Sequence, residues 1–357
     1  MLGAPLENHW INIADGNVES VSEKPAYPLT QYLGENSEIL PAVVNSHAHL
    51  ELSQLESPLE VPGRSMSDWV AQLLTFRRSP VYNAAQGIQQ AVSRPELLES
   101  TIAVADIAPI LPEGFPPLLR LPLWLPFVEL IAWRSEHAET LLDKEWATSR
   151  HTFGLSPHAP HTVCPTLLEK AINQNVPIAM HLAETKEELQ LLCHHTGPLL
   201  EMMRRADPDY DPKSVLIGKR PMDYLQLLSV APSVLVIHGN YLDDEELRFL
   251  AVHRETMSVV YCPRSHAYFR HAPYPLQKML DFGVRVLLGT DSLASVPDLS
   301  LVKEMQFVLK QHPAVPAEIV YRLGTLEGAS ALHLPREFGT IQPGSPARFA
   351  VLHDAHS

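Results

Sequence analysis

Two histidines two residues apart, His47 and His49, are the residues of this chain whose type and spacing most clearly suit chemistry. They follow an apolar, partly β-branched run at residues 42–44, which predicts a buried strand. Because side chains alternate along a strand, both imidazoles point the same way from its end. Two imidazoles held by rigid backbone can supply half of a metal site. The pair alone does not separate this interpretation from two ordinary strand-end histidines.

Other polar residues follow apolar runs along the chain in the same way. The predicted strands lie at residues 42–44, 101–106, 121–128, 152–155, 176–180, 233–237, 258–261 and 284–288. Helix-like segments such as 66–78 and 83–93 separate most of them, and this alternation predicts a closed parallel (β/α)8 barrel. The carboxyl ends of its strands would meet on one face, which collects His47, His49, Asp106, His158, His181, His238 and Asp291.

The two ends of the chain predict a separate small β domain. Residues 10–13 alternate as a strand does, residues 15–17 form a turn, and residues 18–21 return as a second strand. Residues 339–352 predict another turn and strand. We therefore expect a small β domain from residues 1–40 with 336–357, and a barrel domain from residues 41–335.

Composition and charge restrict the expected partners. The 357 residues are 45% hydrophobic with a net charge of −14 and no basic run, which argues against nucleic acid or an anionic membrane. The three scattered cysteines form no Cys-x-x-Cys pair, which predicts a reducing compartment and no thiolate zinc site. Without a long apolar run or a cleavable signal, a cytoplasmic location is expected. The expected partner is a small-molecule substrate, and a homodimer is compatible with the sequence.

The histidines and the aspartate that end the predicted strands suit one metal ion. Neutral imidazoles with one carboxylate favour Zn²⁺, with Fe²⁺ and Mn²⁺ as open alternatives. Three histidines, one aspartate and a water would fill a five-coordinate site and leave that water activated. The set is His47, His49, His181, His238 and Asp291.

The motifs around these residues resemble those of the amidohydrolase superfamily, within its aminohydrolase and chlorohydrolase branch. They follow one another in the family's order over nearly the whole chain, and together they are specific. They are PAVVNSHAHLE (41–51), SPHAP (156–160), HLAET (181–185), HGNYL (238–242), YCPRS (261–265), GTDS (289–292) and GTIQPGSPA (339–347). Their joint presence outweighs the interpretation of His47 and His49 as ordinary strand-end residues.

The resemblance implies roles for named residues. His47, His49, His181 and Asp291 would be the metal ligands, and Asp291 would also help to move a proton to the leaving amine. Glu184 matches the glutamate that carries a proton between water and a ring nitrogen, although a helix N-terminal carboxylate is the alternative. His238 matches the histidine that polarises the reaction centre, and whether it is also a ligand stays open.

The resemblance also bears on the substrate pocket and on the number of metals. His158 matches a substrate-contacting position, whereas Trp69 and His266 are further pocket candidates. Relatives commonly have Asn in place of His266 and an acidic residue in place of Arg348. Binuclear members bridge two metals with a modified lysine on the fourth strand, but residues 152–161 contain no lysine. A single metal is therefore expected.

The resemblance implies a hydrolytic deaminase that releases ammonia from an amino-substituted heterocycle, such as an aminopurine nucleoside. The similarity is closest to adenosine-type and aminodeoxyfutalosine-type deaminases. Two alternatives stay open. The same centre could hydrolyse a carbon–halogen or cyclic amide bond, or the barrel could bind a metal without catalysis. Loss of Glu184 or Asp291 would be the signature of the non-catalytic barrel, and the chain keeps both.

Overall fold

The computed structural model of the chain describes residues 6–28, 31–33, 37–59, 65–109, 123–138, 140–141 and 153–353. The prolines of residues 111–117 predict a loop from the sequence, and this segment lies outside the described residues. So do residues 121, 122 and 152, where two predicted strands begin, and residues 354–357 of the tail.

The strands are numbered in chain order. They are β1 (Trp10–Ala14), β2 (Asn17–Ser22), β3 (Ser37–Pro41), β4 (Val43–Ala48), β5 (Thr101–Ala108), β6 (Leu123–Leu130), β7 (Gly154–Pro157), β8 (Ile178–Leu182), β9 (Val234–His238), β10 (Met257–Tyr261), β11 (Val286–Leu288) and β12 (Phe349–His353).

Helices alternate with most of these strands. They span Met66–Arg77, Ala84–Val92, Pro95–Ser100, Pro165–Ile172, Lys186–His194, Pro198–Ala206, Pro212–Val215, Pro221–Leu228, Asp244–Val252, Pro263–Tyr268, Leu276–Phe282, Leu301–Gln311, Ala317–Leu323 and Leu326–Ala331. The helices predicted at 66–78 and 83–93 are thus confirmed, and the side chains of Ser65 and Asn83 cap their first turns. None of the described helices combines the length and apolarity needed to cross a membrane.

Strands β4 to β11 form one eight-stranded parallel sheet, in which each strand pairs with its neighbour in the chain. Backbone contacts bring its two edges together. Thr290 N and Asp291 N donate to His47 O at 3.0 and 3.1 Å, and an isolated parallel bridge links Ala48 with Asp291. The predicted (β/α)8 barrel is confirmed. Its closure lies beside the His-x-His pair.

Side-chain alternation divides the barrel into an inner and an outer apolar layer. Phe127 of β6 packs inside with Ile237 of β9. The next residue along β6, Val128, packs outside with helix residues such as Leu167 and Leu225. Because apolar side chains fill the interior, the polar residues at the carboxyl ends of the strands form a rim above it.

Segments from both ends of the chain pair outside the barrel. β1 and β2 form a hairpin whose turn contains Gly16 at φ 77°, and β3 pairs antiparallel with β12. Val18 N donates to Ser345 O at 2.7 Å, which joins the hairpin to the C-terminal segment. The boundaries of the small domain stay a prediction.

Candidate active site

Four histidines and one aspartate converge at the carboxyl end of the barrel. His49 Nε2 lies 3.3 Å from His181 Nε2, and Asp291 Oδ1 lies 3.6 Å from His47 Nε2 and 3.8 Å from His49 Nε2. The candidate ligand atoms of His47, His181 and His238 all lie within 4.8 Å of one another. The barrel therefore brings together the residues that the sequence placed at its strand ends.

Two of these residues have unusual backbone conformations. His238 at φ 67° and Asp291 at φ 64° lie in the left-handed region, which costs free energy for residues other than glycine. Their surroundings hold them there. Tyr274 Oη donates to His238 O at 3.0 Å, and the Asp291 backbone is bonded to β4. The geometry of both side chains is thus fixed by the fold.

Hydrogen bonds orient the side chains of His181 and Asp291. His181 Nδ1 donates to His158 O at 2.9 Å, so its Nε2 carries the lone pair that faces the other histidines. Asp291 Oδ2 accepts from Ser265 Oγ at 2.6 Å and from Ser295 Oγ at 3.1 Å. The second oxygen, Oδ1, is left to face His47 and His49.

The donor set fits a divalent cation. Within the described residues, both ring nitrogens of His47 and Nδ1 of His49 are buried without a hydrogen-bond partner. Burial lowers the pKa of His49 and His238, and that of His181 to about 3, so these rings are neutral near pH 7. Burial alone would raise the pKa of Asp291, but the neighbouring His47 and His238 hold it well below its usual range. Neutral imidazoles beside an ionised carboxylate are suitable ligands for zinc and similar metals.

Glu184 lies next to this cluster, with Oε1 3.4 Å from His238 Nε2. Its backbone is held firmly, because the Glu188 carboxylate accepts from Ala183 N and Glu184 N, and Asn240 Nδ2 donates to Glu184 O. Burial, together with the charges of Asp291 and Glu188, raises the pKa of Glu184 well above its usual value. A carboxyl group whose pKa is raised in this way suits proton transfer near neutral pH.

The start of the following helix bears on the alternative for Glu184. The helix begins at Lys186, and its N-cap is Thr185, whose side chain accepts from Glu188 N. Glu184 therefore precedes the helix, while Glu187 and Glu188 are the acidic residues of its first turn. The Glu184 side chain lies against His238.

The three predicted substrate contacts lie in different surroundings. The His158 ring centroid is 4.9 Å from that of His181, so His158 borders the cluster of histidines and Asp291. Trp69 donates from Nε1 to Ala294 O at 3.2 Å, and its ring meets Phe269 edge-on.

His266 instead packs edge-on against Tyr261 and Tyr274. Among the described residues, no hydrogen bond, ion pair or ring contact joins the His266 side chain to the histidine and aspartate cluster. Its role in substrate binding stays a prediction.

Three charged residues at the rim were not assigned from the sequence. Glu129, near the end of β6, has a side chain that is 6% exposed and lies 4.0 Å from His158 Nε2. Arg77 Nη2 donates to the fully buried Glu51 carboxylate at 2.5 Å. Glu129 follows an apolar strand, as the other strand-end residues do. That signal could have identified it.

A cleft of about 240 Å³ includes Thr185, the residue after Glu184, in its lining. It lies between the start of helix Met66–Arg77 and the start of helix Lys186–His194, and its lining includes Lys186, Tyr241 and His271. Tyr241 Oη lies 3.1 Å from His271 Nδ1.

The chain is similar to deaminases along nearly its whole length. A model of the amidohydrolase family matches residues 39–356. The 5-methylthioadenosine/S-adenosylhomocysteine deaminase of Pyrococcus furiosus is 28% identical over 379 aligned positions, covering 96% of this chain and 81% of that protein.

Solved structures share the fold. The aminofutalosine deaminase of Helicobacter pylori, in complex with methylthio-coformycin, superposes with a TM-score of 0.77 at 20% identity, covering 97% of this chain and 88% of that one. An adenosine deaminase from Xanthomonas campestris with bound zinc gives a TM-score of 0.66 at 20% identity, covering 99% and 82%. At this level of identity, both support the barrel fold alone.

Proposed function

This chain belongs to the amidohydrolase family, and on that premise we propose that it is a metal-dependent hydrolytic deaminase of an aminopurine nucleoside or a similar amino-substituted heterocycle. The observation that carries the proposal is the Glu184 carboxylate 3.4 Å from His238 Nε2, beside the cluster of histidines and Asp291. The name of the P. furiosus relative supports the substrate class, since it specifies adenosine derivatives.

We assign His47, His49, His181 and Asp291 as the residues that hold one divalent ion, with Zn²⁺ as the proposed metal. The support is the buried, unpartnered ring nitrogens of His47 and His49 and the ionised Asp291 carboxylate. The zinc in the adenosine deaminase that shares the fold favours this metal over Fe²⁺ and Mn²⁺. When bound, such an ion lowers the pKa of a water molecule so that it can act as the nucleophile near neutral pH.

Glu184 and Asp291 would move the two protons of the attacking water. Glu184 would take the first proton and deliver it to the ring nitrogen next to the reacting carbon, while His238 would polarise the developing oxygen. Asp291 would pass the second proton to the amino group, so that the carbon–nitrogen bond breaks and ammonia leaves. The product has a ring carbonyl where the amino group stood, so the atoms of water and substrate balance.

Two finer expectations stay predictions from the sequence, namely a cytoplasmic location and a homodimer. The alternative reactions at the same centre are separated by their products. A carbon–halogen substrate would release halide, and a cyclic amide would give a ring-opened acid.

The decisive experiment measures ammonia release by zinc-loaded protein from adenosine, 5′-deoxyadenosine, 5′-methylthioadenosine, guanine and cytosine. We expect turnover of at least one adenine nucleoside. Glu184→Gln should lower kcat by about 10²- to 10⁴-fold at unchanged zinc content, because it removes the proton carrier and no ligand. Glu201→Gln, whose side chain is 72% exposed, is the matched control. Full ammonia release by Glu184→Gln would contradict the assigned role.

A further inference from the structure

We propose that Glu129 is a recognition residue whose carboxylate binds the two ribose hydroxyl groups of a nucleoside substrate. This inference rests on the proposed function, because it names the part of the substrate that one side of the same site would hold. Glu129 was not among the residues that the sequence motifs pointed to.

The first argument is that Glu129 differs from other buried carboxylates of the barrel. Asp106 accepts from Leu50 N and Trp124 Nε1, both at 2.8 Å, and Glu304 accepts from Arg264 Nε at 2.6 Å. Glu188 accepts two backbone N–H groups. Across the described part of the chain, no hydrogen-bond donor contacts the Glu129 carboxylate, although its side chain is only 6% exposed.

A largely buried carboxylate that accepts no hydrogen bond from the protein is costly, so its partners are expected to be water in the free protein and a ligand in the complex. Among the described residues, Glu184 is another rim carboxylate that accepts no hydrogen bond, and we assign it a proton-transfer role. Burial raises the pKa of Glu129, and Arg77 partly offsets this effect. The nearby guanidinium therefore helps Glu129 to remain ionised and able to accept hydrogen bonds.

The second argument is position. Along β6, Leu125 and Phe127 point into the barrel, and Glu129 has the same parity one step nearer the rim. Glu129 Oε1 lies 4.0 Å from His158 Nε2, and the His158 ring borders that of His181. A substrate that reacts beside His181 and extends past His158 would therefore meet Glu129.

The third argument concerns the chemistry of the ligand. A carboxylate presents two acceptor oxygens side by side, which matches two neighbouring hydroxyl groups, and carboxylates recognise ribose hydroxyls in dinucleotide sites. A cationic ligand is less favoured, because Arg77 already supplies a positive charge to Glu129 and to Glu51.

The test compares adenosine with 2′-deoxyadenosine, 3′-deoxyadenosine and 2′,3′-dideoxyadenosine as substrates of the zinc-loaded wild type and of Glu129→Gln. In the wild type, loss of both hydroxyls should lower kcat/KM by about 100-fold, because the carboxylate loses its donors. In Glu129→Gln, kcat/KM for adenosine should fall by about 10-fold or more, while that for the dideoxynucleoside should change less than about 3-fold. Glu136→Gln, with a side chain 71% exposed, is the matched control.

The outcomes separate this inference from the proposed function. An equal fall for adenosine and dideoxyadenosine would overturn the role of Glu129 while the deaminase assignment stands. If no nucleoside releases ammonia, the deaminase assignment fails. In that case, calorimetry measures the binding of adenosine and of its dideoxy analogue to the wild type and to Glu129→Gln. The inference requires that the wild type binds adenosine more tightly than the analogue and that Glu129→Gln loses this difference. If Glu129→Gln does not fold, a wild type that treats all four nucleosides alike overturns the proposal.

Discussion

Ser265→Ala should weaken metal binding without removing any metal ligand. The Ser265 hydroxyl is 1% exposed and donates to Asp291 Oδ2 at 2.6 Å. Ser295 supplies a second, longer hydrogen bond of 3.1 Å to the same oxygen. These two bonds fix the carboxylate so that Oδ1 faces His47 and His49. Because the bond from Ser265 is the shorter one, we expect its loss to disturb this orientation more than loss of the other.

The size of the effect follows from the charge on the acceptor and from its burial. A hydrogen bond to a buried carboxylate contributes about 1.5–3 kcal/mol, and Ser295 remains to compensate in part. We therefore expect Ser265→Ala to lower the free energy of unfolding by about 1–2 kcal/mol. Loss of a hydrogen bond to a metal ligand lowers metal affinity by about 10- to 100-fold, and that range is expected here.

The assay is competition for Zn²⁺ between the protein and a chromophoric chelator, together with urea unfolding of the metal-free protein. Ser233→Ala is the matched control, because Ser233 is also buried but donates to Ala331 O, away from the cluster. It should change stability alone. Equal zinc affinities for Ser265→Ala and the wild type would refute the reasoning that Ser265 orients Asp291.

Three further predictions concern the rim. Arg77→Met leaves the fully buried Glu51 without its partner and should cost about 3 kcal/mol in urea unfolding, whereas Arg78→Met, an exposed neighbour, should cost under about 0.5 kcal/mol. Gly289→Ala would place a methyl group 2.8 Å from His47 Cβ, so we expect a loss of about 1–3 kcal/mol and a lower zinc content by plasma mass spectrometry. Removal of metal with a chelator should lower the melting temperature, and zinc at a hundred times its Kd should restore about 2.7 kcal/mol in the wild type but not in Asp291→Asn.

The barrel could be predicted from the sequence because the strands are short apolar runs separated mostly by helical segments, and several of them end in a polar residue. That pattern also brought His47, His181 and Asp291 together, since parallel strands in a barrel share one carboxyl face. This inference needs only the order of the strands along the sequence and no three-dimensional structure. The closing contacts of the barrel, between residues 289–291 and β4, then lie where the motif histidines are.

Residues whose roles depend on side-chain contacts across the rim could not be predicted in this way. Ser265 belongs to a recognised motif, but nothing in its spacing shows that it bonds to Asp291. Arg77 ends a predicted helix, and its pairing with Glu51 depends on how that helix crosses the rim. Glu129 has the strand-end signal, yet its missing donors become visible only when its neighbours are known.

The surroundings of two buried carboxyl groups at the rim account for their different assignments. Burial raises the pKa of both Asp291 and Glu184. Neighbouring histidines and two serine hydroxyls stabilise the ionised form of Asp291, so this carboxylate is suited to be a metal ligand. Glu184 has no such compensation and faces the charge of Asp291, so it retains a proton more readily and suits proton transfer. A divalent ion held by this cluster would lower the pKa of Asp291 further. Asp291 would then carry the second proton only transiently, whereas Glu184 would hold the first proton for longer.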